Sequence, residues 1–441
     1  MSSTRLDGSD WHFHPDEPLA LGCAGCFLRE ICGGLHVKGG AIDCQRFCCG
    51  GKPDCKVVCF NSKRNYAKRL KEIRGFDLHN IPRCGPVEFS RLRGFAPLIH
   101  HAYVRKKEFH SETIALSLYA LLDREGAPRY VSREEIAKNF RISSKAKLLV
   151  SGVHWDRLLE RVWRSPHRNS IAVMLKAIGV AMFTPPNFSV YNNVPRPENL
   201  YNIKRIALLS QEFLAAGVPT ALHINACTDL DYDRHLEFLL ERPEFQAISF
   251  DFITGPGNPS RMSWHIKKLI ELRNRLRRQI QLVLRGGTPA LAALAGAYSD
   301  IVIIDSKPLH TALRRHRMVF GNDGRIKVVE NHLPIGTPVD DLLSQNVVAA
   351  RSHIDYLLRH PRIANSLRGG SRPKLNVTNN AHDKSRQLDF LANSASVKSG
   401  TGPVNAESVI PAAKSESPLK IHEAAKELAE PAAVSRKPAE S

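Results

Sequence analysis

The chain has 441 residues, 43% of them hydrophobic, and a formal net charge of +20. This length allows one large domain with accessory segments or two domains, and the hydrophobic content suits an ordinary globular core. The N-terminal residues lack the apolar segment of a signal peptide, and no apolar run reaches the roughly 18 residues that span a bilayer. We therefore expect a cytoplasmic protein without a membrane partner.

The positive charge predicts a polyanionic partner. Lysine and arginine together number 63, against 43 aspartates and glutamates. Such an excess is typical of proteins that bind nucleic acid, and less often of proteins that bind anionic membranes. We therefore predict DNA or RNA as the partner, and a basic surface that serves only solubility is the alternative.

Residues 1–20 are predicted to be flexible, and residues 21–62 concentrate the cysteines. This segment is rich in glycine and poor in large aliphatic side chains, so it needs a cross-link to fold. In a reducing compartment clustered thiols bind metal more often than they form disulfides. We therefore predict a metal-binding module. Its candidate ligands are eight of the ten cysteines: Cys23, Cys26, Cys32, Cys44, Cys48, Cys49, Cys55 and Cys59.

The cysteine spacing leaves two cofactors open. Cys23 and Cys26 form a CxxC pair, in which the turn directs both thiolates toward one ion, and Cys32 follows. Zinc sites usually contain two such pairs, and only one is present. The stretch CAGCFLREICGG resembles the start of the auxiliary iron–sulfur domains that accompany radical enzymes, although the close fourth cysteine of that pattern is missing. The resemblance implies a [4Fe–4S] cluster, which we favour narrowly over Zn²⁺.

Residues 63–92 form a basic connector, and residues 93–320 repeat one pattern of short apolar strand, polar exit and amphipathic helix. Strands with little polar alternation are typical of parallel sheets that are buried on both faces. Eight of them predict an α/β fold with a (β/α)8-like, irregular barrel, and an open doubly wound sheet is the alternative. The predicted strands are residues 97–99, 114–119, 148–151, 181–183, 220–224, 247–252, 281–284 and 301–305.

Four helices and a hairpin are predicted after residue 196. The helices cover residues 197–216, 260–278, 307–317 and 338–360, and the hairpin turns at residues 322–324. Residues 321–362 thus form a hairpin followed by a C-terminal helix. Residues 363–441 are rich in Ser, Ala, Lys, Glu and Pro and cannot bury enough apolar surface to order themselves, so we predict a disordered tail.

Polar residues at the strand ends form the predicted active site, because the carboxyl ends of parallel strands lie on one edge. Asp251 interrupts an apolar strand, where a carboxylate must be paired or functional. His223 and Asn225 are two residues apart, so their side chains face the same way. Asp305 ends a very apolar strand and is the natural second carboxylate. We predict these four residues as catalytic, with buried polar residues of purely structural role as the alternative.

Five further residues are predicted to bind substrate. Arg285 precedes Gly286 and Gly287, and a guanidinium beside bare backbone amides suits a phosphate or a carboxylate. A simple Gly-Gly turn is the alternative. Asn187 and Asp156 follow two other strands and complete the set.

Two carboxylates, a histidine and an arginine suit attack at a sugar anomeric carbon. A barrel with a metal module and a basic surface is similar in plan to the tRNA-guanine transglycosylase type, whose zinc signature is absent here. The stretches at residues 183–191 and 151–160 resemble uncharacterised Cys-rich barrel proteins of plasmids and mobile elements. We therefore predict a metal-containing enzyme of glycosyl transfer on nucleic acid. The alternative is a non-catalytic nucleic-acid-binding accessory protein that docks through basic segments at residues 105–107, 273–278 and 314–317.

Overall fold

The computed structural model describes residue 69 and residues 71–102, 104–190, 196–257, 259–331, 333–334 and 336–361. The cysteine-rich segment 21–62 and the predicted tail 363–441 lie outside the described residues. No helix in the described ranges is long and apolar enough to cross a membrane.

The centre of the fold consists of eight short parallel strands, which confirms the predicted α/β class. One sheet has the order β1-β8-β7-β6-β5, and a second has the order β2-β3-β4. The strands are β1 (Gly94–Pro97), β2 (Thr113–Ser117), β3 (Lys147–Ser151), β4 (Val180–Thr184), β5 (Leu222–His223), β6 (Ala247–Asp251), β7 (Gln281–Arg285) and β8 (Ile301–Asp305).

Single parallel bridges connect the edges of the two sheets. Leu98, just after β1, pairs with Ala115 of β2, and the Ile99 amide donates to the Ala115 carbonyl at 2.9 Å. Phe183 of β4 pairs with Thr220, just before β5, and the Ala221 amide donates to the Phe183 carbonyl at 2.8 Å. Each edge of the three-stranded sheet therefore has a hydrogen-bonded neighbour in the five-stranded sheet.

Helices follow most strands, as the alternating pattern predicts. Their ends carry the expected signals: Thr228 and Asp231 form a capping box at the start of α5, and Gly217 follows α4 with φ 82°. The helices are α1 (Arg133–Phe140), α2 (Asp156–Arg164), α3 (Arg168–Ala177), α4 (Arg196–Ala215), α5 (Asp229–Glu241), α6 (Pro259–Leu276), α7 (Leu291–Leu294), α8 (Lys307–Leu313) and α9 (Asp340–Arg359).

An antiparallel hairpin, β9 (His316–Phe320) and β10 (Ile326–Glu330), stands between α8 and α9. It turns at Gly324, where φ is 73°, within the predicted turn. The helix predicted over residues 307–317 ends earlier, at Leu313, because β9 begins at His316. The α9 helix packs against β1, α8 and β9, and thereby ties the hairpin to the central strands.

The strands have two faces with different contents. The larger apolar cluster joins one face to the helices and contains Leu222, Ile248, Phe250, Leu282 and Leu284. The opposite face carries a smaller cluster, which we call the inner cluster. Its buried members are Leu92, Ala96, Leu98, Ala115, Leu149, Met182, Ala221, Ala247, Val283, Val302 and Ile304. Side chains alternate between the two faces along a strand, so residues an even number of positions apart share a face. We say that such residues have the same parity, and this parity decides which polar residues share the inner face.

The described part of the connector packs onto the helices through two buried cations, a contact that we call the connector dock. The Arg242 guanidinium donates to the carbonyls of Pro82 at 2.9 Å, His79 at 3.3 Å and Ile81. Lys204 of α4 donates to the Asp77 carbonyl and to the Asn80 side chain. The positive charges of Arg242 and Lys204 therefore serve to hold the connector against the helices.

The predicted strand positions agree with the structure except at their ends. Residues 301–305 are placed correctly, whereas the first strand is Gly94–Pro97 and not 97–99. In the structure Pro97 ends β1, and the next ladder bond comes from the Leu98 amide, which donates to the Asp305 carbonyl at 3.0 Å.

Candidate functional site

Arg285 is the centre of a polar group at the carboxyl ends of the strands, which we call the strand-end site. It ends β7 and has the same parity as Val283 of the inner cluster. Its Nη1 donates to the Ser151 hydroxyl of β3 at 3.1 Å, and its Nε has no hydrogen-bond partner. Burial lowers the pKa of Arg285, and the charges of Asp251 and Asp305 partly offset that effect.

Asp251 lies beside Arg285, because the two residues are Cα partners in adjacent strands. Its parity matches that of Ala247, so it shares the inner face, and the residue is only 6% exposed. One carboxylate oxygen accepts from the Ile253 amide at 2.8 Å. Burial raises the pKa of Asp251 above its usual value, although Arg285 and the Ile253 amide act in the opposite direction.

Asp305 is the second carboxylate near Arg285, as its influence on the Arg285 pKa indicates. Its parity is that of Ile301 and Ile303, which belong to the helix-facing cluster, so it reaches the site from the rim. The Lys307 amide donates to its Oδ1 at 2.8 Å. Burial raises the pKa of Asp305 despite that hydrogen bond and the charges of Lys307 and Arg285.

Three histidines near Arg285 are held in their neutral form. Burial, followed by the Arg285 charge, lowers the pKa of His223 to about 3 and that of His154 to about 4. His100 follows β1, and burial together with His310 and Arg285 lowers its pKa to about 4. The rings of His100 and His310 are 5.8 Å apart. The strand-end site therefore combines one cation and two carboxylates with uncharged imidazoles.

Several buried polar atoms on the inner face have no hydrogen-bond partner among the described residues. They are the Thr184 hydroxyl, both ring nitrogens of His223, the Ser249 hydroxyl and the Arg285 Nε. Thr184, His223 and Ser249 are 2%, 1% and 1% exposed. Leaving such a group unsatisfied costs about 1–3 kcal/mol, so each of these atoms is a candidate to bind a ligand or a water molecule.

Asn225 and Asn187 contact each other and not the charged group. The Asn225 amide donates to the Asn187 side-chain oxygen at 3.1 Å and to the Phe188 carbonyl at 2.9 Å. The buried His235 of α5 hydrogen-bonds the Asn225 carbonyl at 3.1 Å. Asn225 thus ties the loop after β4 to the end of β5, and its side-chain donor is engaged in that contact.

Gly286 and Gly287 are required by the backbone at the end of β7. Their φ angles are 65° and 75°, a region that favours glycine. A Cβ atom at Gly287 would lie 2.4 Å from the Phe252 ring, and one at Gly286 would lie 2.8 Å from Ile253. The Gly286 amide donates to the Ile304 carbonyl at 3.0 Å, so it is not the bare donor that the sequence suggested.

Asp156 belongs to a different concavity. It is the first residue of α2, and its Oδ1 accepts from the Ser189 hydroxyl at 2.7 Å. Both residues line a cavity of about 190 Å³ that also includes Phe188 and Arg205. The Arg205 guanidinium lies 3.8 Å from the Phe188 ring centroid and donates to Glu160 at 2.8 Å, which stabilises that packing.

Some cations of the basic segments proposed as a docking surface form contacts within the protein. Arg105 is buried and donates to the carbonyls that end α1. Arg275 pairs with Asp233 at 2.5 Å, and Arg278 donates to three carbonyls. Lys107 pairs with Asp341 at 2.9 Å. Lys106, Arg277, Arg314 and Arg317 of the same segments are exposed, so the docking surface stays a prediction.

The predicted metal ligands cannot be located, because all eight lie outside the described residues. Within the described ranges, no group of three or more histidine, cysteine, aspartate or glutamate side chains has the arrangement of a metal site. The two cysteines within the described ranges are the half-buried Cys84 and the buried Cys227.

Sequence reasoning missed four residues near the site: Tyr119, Thr184, Ser249 and His310. Ser249 and Thr184 were detectable, because Ser249 is two residues before Asp251 and Thr184 is two residues after the inner-face Met182. Tyr119 was not, since it lies in a short 3-10 helix after β2 and reaches the site through its hydroxyl, which donates to the Gly152 carbonyl at 2.8 Å.

Comparison with protein-family models and with curated proteins finds no match to this chain. The strand-end site is thus interpreted from its own geometry.

Proposed function

We propose that the chain is an enzyme built on a (β/α)8 barrel, with its reaction at the carboxyl ends of the strands. The support for the barrel is a continuous series of neighbours: five strands, three strands, and a parallel bridge at each pair of edges. In such barrels catalytic residues come from the ends of several strands. Here the group around Arg285 comes from β1, β3, β5, β6, β7 and β8.

The observation that carries the proposal is the environment of Arg285. The N–H groups of a guanidinium that is shielded from solvent normally donate hydrogen bonds to carboxylates or carbonyls. Arg285 has one side-chain hydrogen bond, to Ser151, and forms no ion pair within 4.0 Å with the described carboxylates. Because it retains donor capacity next to neutral histidines, it is suited to bind an anionic group of a substrate.

Asp251 is the group that we assign to the chemistry. Burial raises its pKa, the direction that favours a proton-carrying carboxyl group, and its position beside Arg285 lets it face the bound substrate. Asp305 supplies a second carboxylate at the rim, and His223 a neutral imidazole. Glycosyl transfer on a nucleotide or nucleic acid is the reaction class that this combination supports best.

Binding of inorganic phosphate tests the anion site. By isothermal titration we expect the wild type to bind phosphate, and Arg285→Gln to weaken binding at least about tenfold, as expected for a lost charge-assisted hydrogen bond. Arg275→Gln is the matched control, since it removes the same charge from an exposed ion pair. Equal phosphate binding by the wild type and Arg285→Gln would contradict the proposal.

Release of free base tests the reaction class. We expect the full-length protein to release or exchange a base from nucleoside 5′-phosphates or from DNA or RNA oligonucleotides, detected by chromatography. Oligonucleotide binding without turnover, unchanged in Asp251→Asn, would instead support the non-catalytic accessory role.

The metal module is a separate proposal that depends on cysteine spacing alone. We propose that the thiols of residues 21–62 hold a [4Fe–4S] cluster or Zn²⁺. Iron and sulfide in anaerobically purified protein would support the cluster, whereas about two zinc ions per chain would support a structural site. Protein that contains neither iron nor zinc would contradict the metal module.

A further inference from the structure

The inner face next to Arg285 carries a set of uncharged hydrogen-bonding groups that the roles above do not use. Thr184 ends β4, His223 ends β5 and Ser249 lies in β6, so three neighbouring strands each contribute one group. His223 and Ser249 are Cα partners, yet neither side chain bonds the other. All three residues are at least nine-tenths buried and have side-chain atoms without a partner.

These groups face the interior of the strands rather than the helices. His223 has the parity of Ala221, Ser249 that of Ala247, and Thr184 that of Met182, and these three apolar residues belong to the inner cluster. Arg285 has the parity of Val283, which also belongs to the inner cluster. The polar groups thus lie on the same face as the anion site.

Several positions of the inner face also carry smaller side chains than the interior of a filled barrel. Such interiors are usually packed with bulky branched residues. Here β1, β2 and β6, together with the residue before β5, contribute alanines: Ala96, Ala115, Ala247 and Ala221. Small side chains beside unpartnered polar groups are suited to receive part of a ligand.

The chemistry of these groups selects the ligand. Two hydroxyls and a neutral imidazole can each donate and accept, which matches a ligand that carries several hydroxyls. A planar base would require an aromatic surface to stack on, but the buried members of the inner cluster are alanine, leucine, isoleucine, valine and methionine. A second charged group would find no counter-ion among the three residues.

We propose that Thr184, His223 and Ser249 bind the hydroxyl groups of a phosphorylated sugar whose phosphate lies on Arg285. This inference depends on the proposed function, and it adds the class of substrate: a sugar phosphate, either free or as part of a nucleotide. The three residues recognise the sugar, and Asp251 and Asp305 remain the groups assigned to the reaction.

Titration calorimetry with three ligands tests the subsite. We expect ribose 5-phosphate to bind the wild type at least about tenfold more tightly than inorganic phosphate, since two or three neutral hydrogen bonds are added. In the double variant Thr184→Val/Ser249→Ala, the affinities for ribose 5-phosphate and phosphate should differ by no more than about twofold, while the affinity for phosphate is unchanged. Adenosine 5′-monophosphate shows whether the sugar phosphate is free or part of a nucleotide. If it exceeds phosphate in affinity as much as ribose 5-phosphate does, the ligand is a nucleotide. If only ribose 5-phosphate binds more tightly than phosphate, the ligand is a free sugar phosphate.

Thermal unfolding without ligand gives an independent readout. Because Thr184→Val and Ser249→Ala remove unsatisfied buried groups, each should leave Tm unchanged or raise it. Thr220→Val is the matched control, since Thr220 is equally buried but its hydroxyl donates to the Val218 carbonyl at 2.8 Å. That control should lower Tm.

Three results would overturn the subsite alone: equal affinity of the wild type for ribose 5-phosphate and phosphate, an advantage that survives in the double variant, or a fall in Tm for Thr184→Val as large as that for Thr220→Val. Failure of the wild type to bind any of these ligands would overturn the proposed function, and the subsite with it.

Discussion

The connector dock contains a buried arginine and the strand-end site a half-buried one, and the two regions use them in opposite ways. Arg242 donates to three backbone carbonyls and lies 3.9 Å from Glu244. Arg285 has a single side-chain hydrogen bond and is surrounded by groups that could also contact a ligand. The difference teaches that burial of a cation does not indicate function by itself. What matters is whether its donors are already engaged.

The first and largest expected effect concerns Asp251. In Asp251→Asn we expect turnover to fall by about 10²–10⁴-fold, the usual loss when an acid–base group is removed. Burial raises the pKa of Asp251, so the folded state favours the protonated form, and stability is lost as pH rises above the ordinary value of 3.8. The variant should therefore be more stable than the wild type at pH 7. A parallel loss of activity and of stability would assign Asp251 a structural role.

The two arginines should respond differently to the same substitution. We expect Arg242→Gln to lower the free energy of unfolding by about 3 kcal/mol or more, because it removes carbonyl contacts and leaves the buried Glu244 without its counter-ion. Arg285→Gln should change it by about 1 kcal/mol or less, since burial already disfavours that charge. Urea denaturation measures both. Equal destabilisation would remove the distinction between the two regions.

Acid should destabilise the strand-end site more than the connector dock. Burial and Arg285 lower the pKa of His223 to about 3, below the value of 6.5 expected in the unfolded chain. Its contribution is complete above pH 6.5 and is lost as pH falls toward 3, by about 1.4 kcal/mol per pH unit. In His223→Leu, the decrease in the free energy of unfolding per pH unit on acidification should be smaller by that amount. Replacement of the exposed His79 of the connector should leave this slope unchanged. An unchanged slope in His223→Leu would show that the folded protein protonates this imidazole without cost.

The smallest expected effect concerns Asn225, which resembles the connector dock in having its donor engaged. We expect Asn225→Ala to cost about 1–2 kcal/mol of stability, because the Phe188 carbonyl and Asn187 lose their partner. With the substrate in hand, KM should change more than kcat. A loss of kcat as large as that of Asp251→Asn, with normal stability, would restore Asn225 to the catalytic group.

The strands and their direction were predictable because apolar β-branched runs leave few alternatives. The pairing of Asp251 with Arg285 followed from that, since both residues end adjacent parallel strands. The engagement of Asn225, the requirement for glycine at positions 286 and 287, and the rim position of Asp305 were not predictable. They depend on loop geometry and on which face of each strand points inward, and both are fixed by the tertiary structure.

The partner assignments show the same limit. The net charge of +20 is the excess of basic over acidic side chains. It does not show which basic side chains already form contacts within the protein. Arg105, Arg205, Arg242 and Arg278 all serve internal contacts. The predicted nucleic-acid partner therefore stays a prediction.

A crystal structure of the full-length protein with ribose 5-phosphate tests the central claim most directly. We predict the phosphate within hydrogen-bond distance of the Arg285 guanidinium and the sugar hydroxyls against Thr184, His223 and Ser249. A ligand bound elsewhere, with the Arg285 side chain contacting only Ser151, would contradict that claim.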